Sequence, residues 1–73
     1  MSPLYDQRPS YGRLIATREA AAAALYRAEI ALYDAESSGV AKWIEAAHYR
    51  LQLAARRYDV AAAEVVAQER RAA

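Results

Sequence analysis

From Gly12 to the C-terminus only Gly39 interrupts a run of helix-compatible sequence, and the apolar pattern changes phase across it. Before the break, Leu14, Arg18, Ala21, Leu25, Ala28, Leu32 and Ala35 step by four and three, the spacing of a coiled-coil seam with one polar member. After it, Val40, Ile44, Ala47, Leu51, Ala54, Tyr58, Ala61 and Val65 repeat the same steps. Ala35 and Val40 are five residues apart, which turns the stripe by roughly 100° more than the repeat allows. A single continuous helix cannot hold both stripes on one side. A helix that folds back at the break can.

The local chemistry agrees with a break there. Ser10 is suited to cap a helix start, and the stretch to Glu36 is mostly Ala, Leu, Arg and Glu, all good helix formers. In "ESSG", Gly39 suits the left-handed position that ends a helix, and the serines are able to cap the second helix. Pro3 and Pro9, with Ser2, Ser10 and Gly12, exclude a helix from the first residues. The expectation is an extended arm over 1–10, helix 1 over about 11–36, a turn at 37–39 and helix 2 over about 40–71. The fold class is all-α, an antiparallel two-helix hairpin with an alanine-rich seam. Pivoting at Ser38 pairs Leu32 with Ile44 and Leu25 with Leu51, and sets Ala28 against Ala47 and Ala21 against Ala54 between them. Arg18 then falls over the Tyr58 ring, where a cation-π contact is available. Leu4, Tyr5 and Tyr11 of the N-terminal region are placed to reach the far end near Val65 and Val66.

Such a hairpin is short of core. A chain of 73 residues buries too little surface to be more than marginally stable alone, and with no cysteine it has neither disulfides nor a thiolate zinc site to staple it. Oligomerisation is the remaining ordinary device. The surplus apolar surface points the same way. Helix 1 carries a second stripe of Ile15, Ala22, Tyr26, Ile30 and Tyr33, so that its apolar arc is roughly 200° wide, as for a helix inside a bundle. Helix 2 adds Trp43, Tyr49, Leu53 and Val60 away from its seam. Self-association through Ile15, Tyr26, Ile30 and Tyr33 into a dimeric four-helix bundle is therefore expected, with Glu29 and Glu36 inside the arc needing Arg, Tyr or water as partners.

Charge gives no dominant partner. Ten basic residues, nine of them arginine, face nine acidic ones, for a formal net charge of +1, less than a non-specific nucleic-acid binder usually carries. The beginning of the chain lacks the charged start and apolar run of a signal peptide. The most apolar stretch is interrupted by Arg27 and Glu29, short of an uncharged span. A cytoplasmic protein is expected.

The sharpest catalytic lead is Glu45 with His48, three residues on. Glu-x-x-His on two helices, joined by one Glu from each of two others, builds the di-iron centre of ferritin-like bundles, because i and i+3 side chains converge on one metal. Glu29 would be the additional carboxylate in a dimer. Glu45, however, projects roughly 100° from the seam, so a solvated helix face is the preferred reading and no cofactor is expected. The serines and Thr17 have no partnering histidine for nucleophilic catalysis, and the glycines form no phosphate loop.

Arg50 and Arg57 lie seven apart on one face of helix 2, with Arg56 nearby and Tyr49 and Leu53 interleaved, an arrangement able to follow a phosphate backbone. In plan alone, the hairpin dimer resembles Rop-like RNA-binding helical hairpins, and a shared plan does not carry function. The preferred expectation is a non-enzymatic interaction module of the adaptor, inhibitor or accessory-factor kind that phages and mobile elements encode. It would bind a host protein through Trp43, Tyr49, Leu53, Arg50 and Arg57.

Overall fold

The computed structural model describes residues 10–72, which form two α-helices packed against each other, α1 (Tyr11–Ser38) and α2 (Ala41–Ala72). Helix α1 starts where its cap chemistry says it should. Ser10 is extended (φ −65°, ψ 159°), its hydroxyl accepts from the Arg13 amide at 3.2 Å, and its carbonyl accepts from the Leu14 amide at 3.0 Å. One side-chain acceptor thus satisfies an amide that the first turn leaves without a partner. The arm expected over 1–10 lies, apart from Ser10, outside the described residues, and so do the roles given to Leu4 and Tyr5.

The turn is tighter than the expected 37–39, because helix α1 continues through both serines. Ser37 and Ser38 belong to the end of α1 first, although Ser38 also accepts from the Val40 amide where α2 begins. Their hydroxyls donate backwards, to the carbonyls of Tyr33 (3.0 Å) and Ala35, which keeps them in the helix. Gly39 then ends α1 in the left-handed region at φ 73°, and its amide donates to the Glu36 carbonyl at 3.2 Å. Helix α2 begins on Val40, whose carbonyl accepts from Trp43 (3.0 Å) and Ile44 (3.1 Å) and whose amide donates to the Ser38 hydroxyl at 3.2 Å.

Opposite outcomes are expected at two adjacent residues. Valine is among the poorest N-caps, having no side-chain acceptor for the first amides. Val40→Asp is therefore expected to raise stability by about 1 kcal/mol. Gly39→Ala is expected to lower it by about 1 kcal/mol. A Cβ there meets no atom within 4 Å, so the cost is conformational alone. Urea midpoints at constant slope measure both.

Residues equidistant from the Gly39–Val40 peptide lie at the same height in the hairpin. That pivot, later than Ser38, changes the pairing. Leu25 is level with Ala54, Leu32 with Ala47, Leu51 with Ala28 and Ile44 with Ala35, so each bulky residue faces an alanine. The expected alternation of Leu–Leu and Ala–Ala layers is thus replaced by large-on-small interleaving, and Arg18 is level with Ala61 rather than Tyr58. The groove linings agree: Ala31 and Ala35 lie beside Ala46 and Ala47, and Ala21 beside Arg57 and Ala61. From the Arg18–Ala61 layer to the Ala35–Ile44 layer an alanine stands opposite a larger side chain, which keeps the helices close there, while the Leu14–Val65 layer at the open end sets two larger side chains together.

The buried set is small. Among the described residues it comprises Leu14, Ala35, Ala47, Ala54, Ala61 and Val65, every one a seam position, of which only Val65 is wholly inaccessible. The remaining seam residues from Arg18 to Leu32 and Ile44, Leu51 and Tyr58 are half-buried, while Val40 is exposed. At the open end, Tyr11 donates its hydroxyl to the Glu69 carboxylate at 2.7 Å and ties α1 to α2. That bond, then partial desolvation and the Glu69 charge raise the Tyr11 pKa above the ordinary tyrosine value, opposed by the charge of Arg18. Because the folded-state pKa is raised, the tie is intact below the ordinary value of about 10 and is lost as pH climbs through the raised one. In an alkaline titration followed by phenolate absorbance, Tyr11→Phe is expected to remove a late component from the wild-type curve. At the same end of α2, Arg70 and Arg71 sit in the last turn, where positive charge complements the helix dipole. No helix among the described residues is long and apolar enough to cross a membrane.

Candidate functional site

A two-helix hairpin has two broad faces flanking its seam, and here they differ. On the first, two grooves open between the helices. Near the turn, a groove of about 420 Å³ is lined by Ala31, Ala35 and Ser38 of α1 and by Trp43, Ala46 and Arg50 of α2. Farther along, a groove of about 540 Å³ runs between Thr17, Ala20 and Ala24 of α1 and Arg57, Val60 and Glu64 of α2. Thr17, Ala24, Ala31 and Ser38 recur every seventh residue, as do Trp43, Arg50, Arg57 and Glu64. The two grooves therefore belong to one face. Small side chains of α1 floor it, and α2 walls it with an indole, arginines and a carboxylate.

The second face lies on the other flank of the same seam. Helix α1 presents Ile15, Ala22, Glu29 and Glu36 there at heptad spacing, with Tyr26 and Tyr33 beside them. Helix α2 contributes Ala41, Ala55 and Ala62 with His48 and Glu69, and Glu45 and Asp59 farther out. The steric roles of the helices are reversed relative to the first face. Bulk comes from α1 and smallness from α2.

The residues expected to mediate contacts are thus divided by the fold. Trp43 and Arg50 line one groove and Arg57 the next. Leu53 is half-buried beside them, whereas Tyr49 projects from the outer back of α2 and is 63% exposed. Ile15, Tyr26 and Tyr33 belong to the second face, with Ile30 turned toward the back of α1. The side chains of Tyr26 and Tyr33 are 65% and 71% exposed, and that of Trp43 is 60% exposed. For residues of that size these values mean that the hairpin covers little of them. Apart from Ile30 and Tyr49, which lie at the backs of the two helices, the expected sets for self-contact and partner contact lie on opposite flanks of the seam.

Glu29, Glu45 and His48 are all exposed on the second face. Among the described residues no three His, Cys, Asp or Glu side chains are grouped so as to hold a metal ion. Within one hairpin, the Glu-x-x-His pair occupies a solvated helix flank. Glu36 is also exposed, so neither carboxylate in the wide arc of helix 1 is desolvated inside the hairpin.

The small-residue floor is inconspicuous in the sequence because alanines are everywhere in it. The signal that would have found it is the heptad row Thr17, Ala24, Ala31, Ser38 directly beside the seam. Comparison with known protein families, with curated proteins and with solved structures finds no match to this chain.

Proposed function

We propose that this chain is a non-enzymatic interaction module of the cytoplasm, a helical hairpin that self-associates into a larger bundle and recognises protein through a helix face. One observation carries this reading. Among the described residues the hairpin buries six, four of them alanine, while Tyr26, Ile30, Tyr33, Trp43, Tyr49 and Val60 stay exposed. Of the larger apolar side chains among the described residues only Leu14 and Val65 are buried, in a chain too short to be stable on an alanine core. Covering them with a second hairpin moves them from water into a bundle interior, and each fully covered large side chain contributes roughly 1.5–3 kcal/mol. The single dimeric four-helix bundle is the simplest product. Sedimentation equilibrium over the micromolar range, with thermal midpoints at the same concentrations, tests the reading. An associating species whose midpoint rises with concentration supports it, and the monomer mass with a constant midpoint sinks it.

The grooved face also supports a second reading. Arg50 and Arg57 stand one heptad apart beside Trp43 on one side of the hairpin, offering phosphate contacts next to a stacking ring. In this alternative, single-stranded or structured RNA lies along α2. A gel shift at low salt that weakens steeply as salt is added is the expected result. No shift at low salt removes the alternative.

A further inference from the structure

The charges of the hairpin are sorted by face. Among the described residues, the second face carries Glu19, Glu29, Glu36, Glu45, Asp59 and Glu69 and no lysine or arginine beyond Arg18, which stands in the seam at its edge. The grooved face carries Arg13, Arg27, Arg50, Arg57 and Arg71 against Asp34 and Glu64. Arg50, Arg57, Asp34 and Glu64 line its grooves, and Arg13, Arg27 and Arg71 stand one heptad from Ala20, Asp34 and Glu64 on the same strips. A nearly neutral chain is therefore two-sided, acidic on one face and basic on the other.

Shape is sorted in the same way. The acidic face projects Tyr26 and Tyr33, and the basic face is grooved over small residues. Seven residues of helix, about 10 Å, separate the two tyrosines, and the same heptad separates successive small residues of the floor, Thr17, Ala24, Ala31 and Ser38. Knobs and floor share a repeat.

We infer that the basic, grooved face of one hairpin receives the acidic, tyrosine-bearing face of a second copy, so that the chain self-associates by a heterologous contact and stacks open-endedly. This deepens the self-association reading and rests on it. Like faces are poor partners for each other. Joining two acidic faces opposes six carboxylates to six others with only the seam residue Arg18 of each to offset them, and joining two basic faces opposes five arginines to five with only Asp34 and Glu64 of each as counter-charges. Like charges across an interface disfavour a mode of docking, whereas complementary ones favour it and set its register. A contact between two different patches of one chain leaves a free patch at each end, and unless the rotation closes a ring it propagates. The bundle made by any two neighbours still has four helices.

Two variants at exposed positions separate the modes. Tyr26→Ser with Tyr33→Ser removes the knobs and leaves the grooved face intact. Arg50→Glu with Arg57→Glu sets carboxylates against carboxylates and leaves the tyrosine face intact. Circular dichroism of each confirms the helical fold before sedimentation velocity is run. The expected result is that wild type forms species beyond the dimer at low salt and shrinks toward monomer as salt is raised, that each variant alone is monomeric, and that an equimolar mixture forms a one-to-one pair and nothing larger. A wild type that stops at a dimer overturns the heterologous contact and leaves self-association standing, as does either variant dimerising alone with no new species on mixing. A wild type that is monomeric throughout overturns both.

Discussion

Leu14→Ala is expected to lower the stability of the hairpin by about 3 kcal/mol, with a fall in thermal midpoint of roughly 15 °C. Leu14 is the only leucine in the buried set, 7% exposed, and it stands level with Val65, which is wholly inaccessible. Both lie at the open end, where no turn holds the helices together and where the Tyr11 to Glu69 hydrogen bond is solvent-exposed. Apolar contact is the main restraint there. Truncating Leu14 leaves a void beside Val65 that alanine neighbours cannot fill, so the transfer loss is joined by a cavity loss. Val66→Ala, one residue beyond Val65 and 43% exposed, is expected to cost under about 0.5 kcal/mol. Urea denaturation followed by circular dichroism measures both, and equal losses at the two positions would show that the open end is frayed and not packed.

Ala54→Leu is expected to cost about 2 kcal/mol, through overpacking and not through loss. Ala54 is 9% exposed and stands level with Leu25, in a stretch of the hairpin, from Arg18 to Ala35, where each layer sets a larger side chain against an alanine. A second leucine in that layer must push the helices apart or leave its rotamer minimum. The compensating exchange makes the prediction specific. Leu25→Ala combined with Ala54→Leu keeps the layer volume and is expected to recover most of the loss, a coupling that a double-mutant cycle isolates. If Ala21 faced Ala54, as a pivot at Ser38 implies, the cycle would show no coupling between positions 25 and 54. Ala63→Leu, on the exposed back of α2, is expected to be near neutral, since leucine is nearly as good a helix former as alanine.

Neither prediction depends on what the hairpin binds, and the interface variants depend on little else. Leu14 and Ala54 are buried in the seam, whereas Tyr26, Tyr33, Arg50 and Arg57 are exposed on its flanks. Losses at the first pair report on folding within one chain. Losses at the second group appear in association, with the monomer's helix content unchanged. This separation is a direct consequence of a core confined to one seam.

Much of this architecture is written in one dimension. Helix existence follows from good helix formers flanked by Ser10 and Gly39, and the seam follows from steps of four and three, which place side chains on one line at 100° per residue whatever the surroundings. The phase break between Ala35 and Val40 demands a reversal for the same local reason. What the chain could not reveal by itself was the pairing across the seam. That depends on the residue at which the backbone turns, and Ser37 and Ser38 had two local options, capping the next helix or bonding back to the last one. Both donate back, to Tyr33 and Ala35, and Ser38 in addition accepts from the Val40 amide. The turn therefore moves to Gly39–Val40, and with it leucine comes to face alanine in place of leucine. The two faces were hidden for a related reason. A helical wheel shows where a residue points on its own helix, but only the antiparallel docking of α1 on α2 tells which flank of one joins which flank of the other. Periodicity along each helix was determined by the sequence because it is a property of the backbone helix itself. The layer partners, and the division of the surface into an acidic tyrosine face and a basic grooved one, were decided by tertiary structure, because they depend on how two separate helices meet.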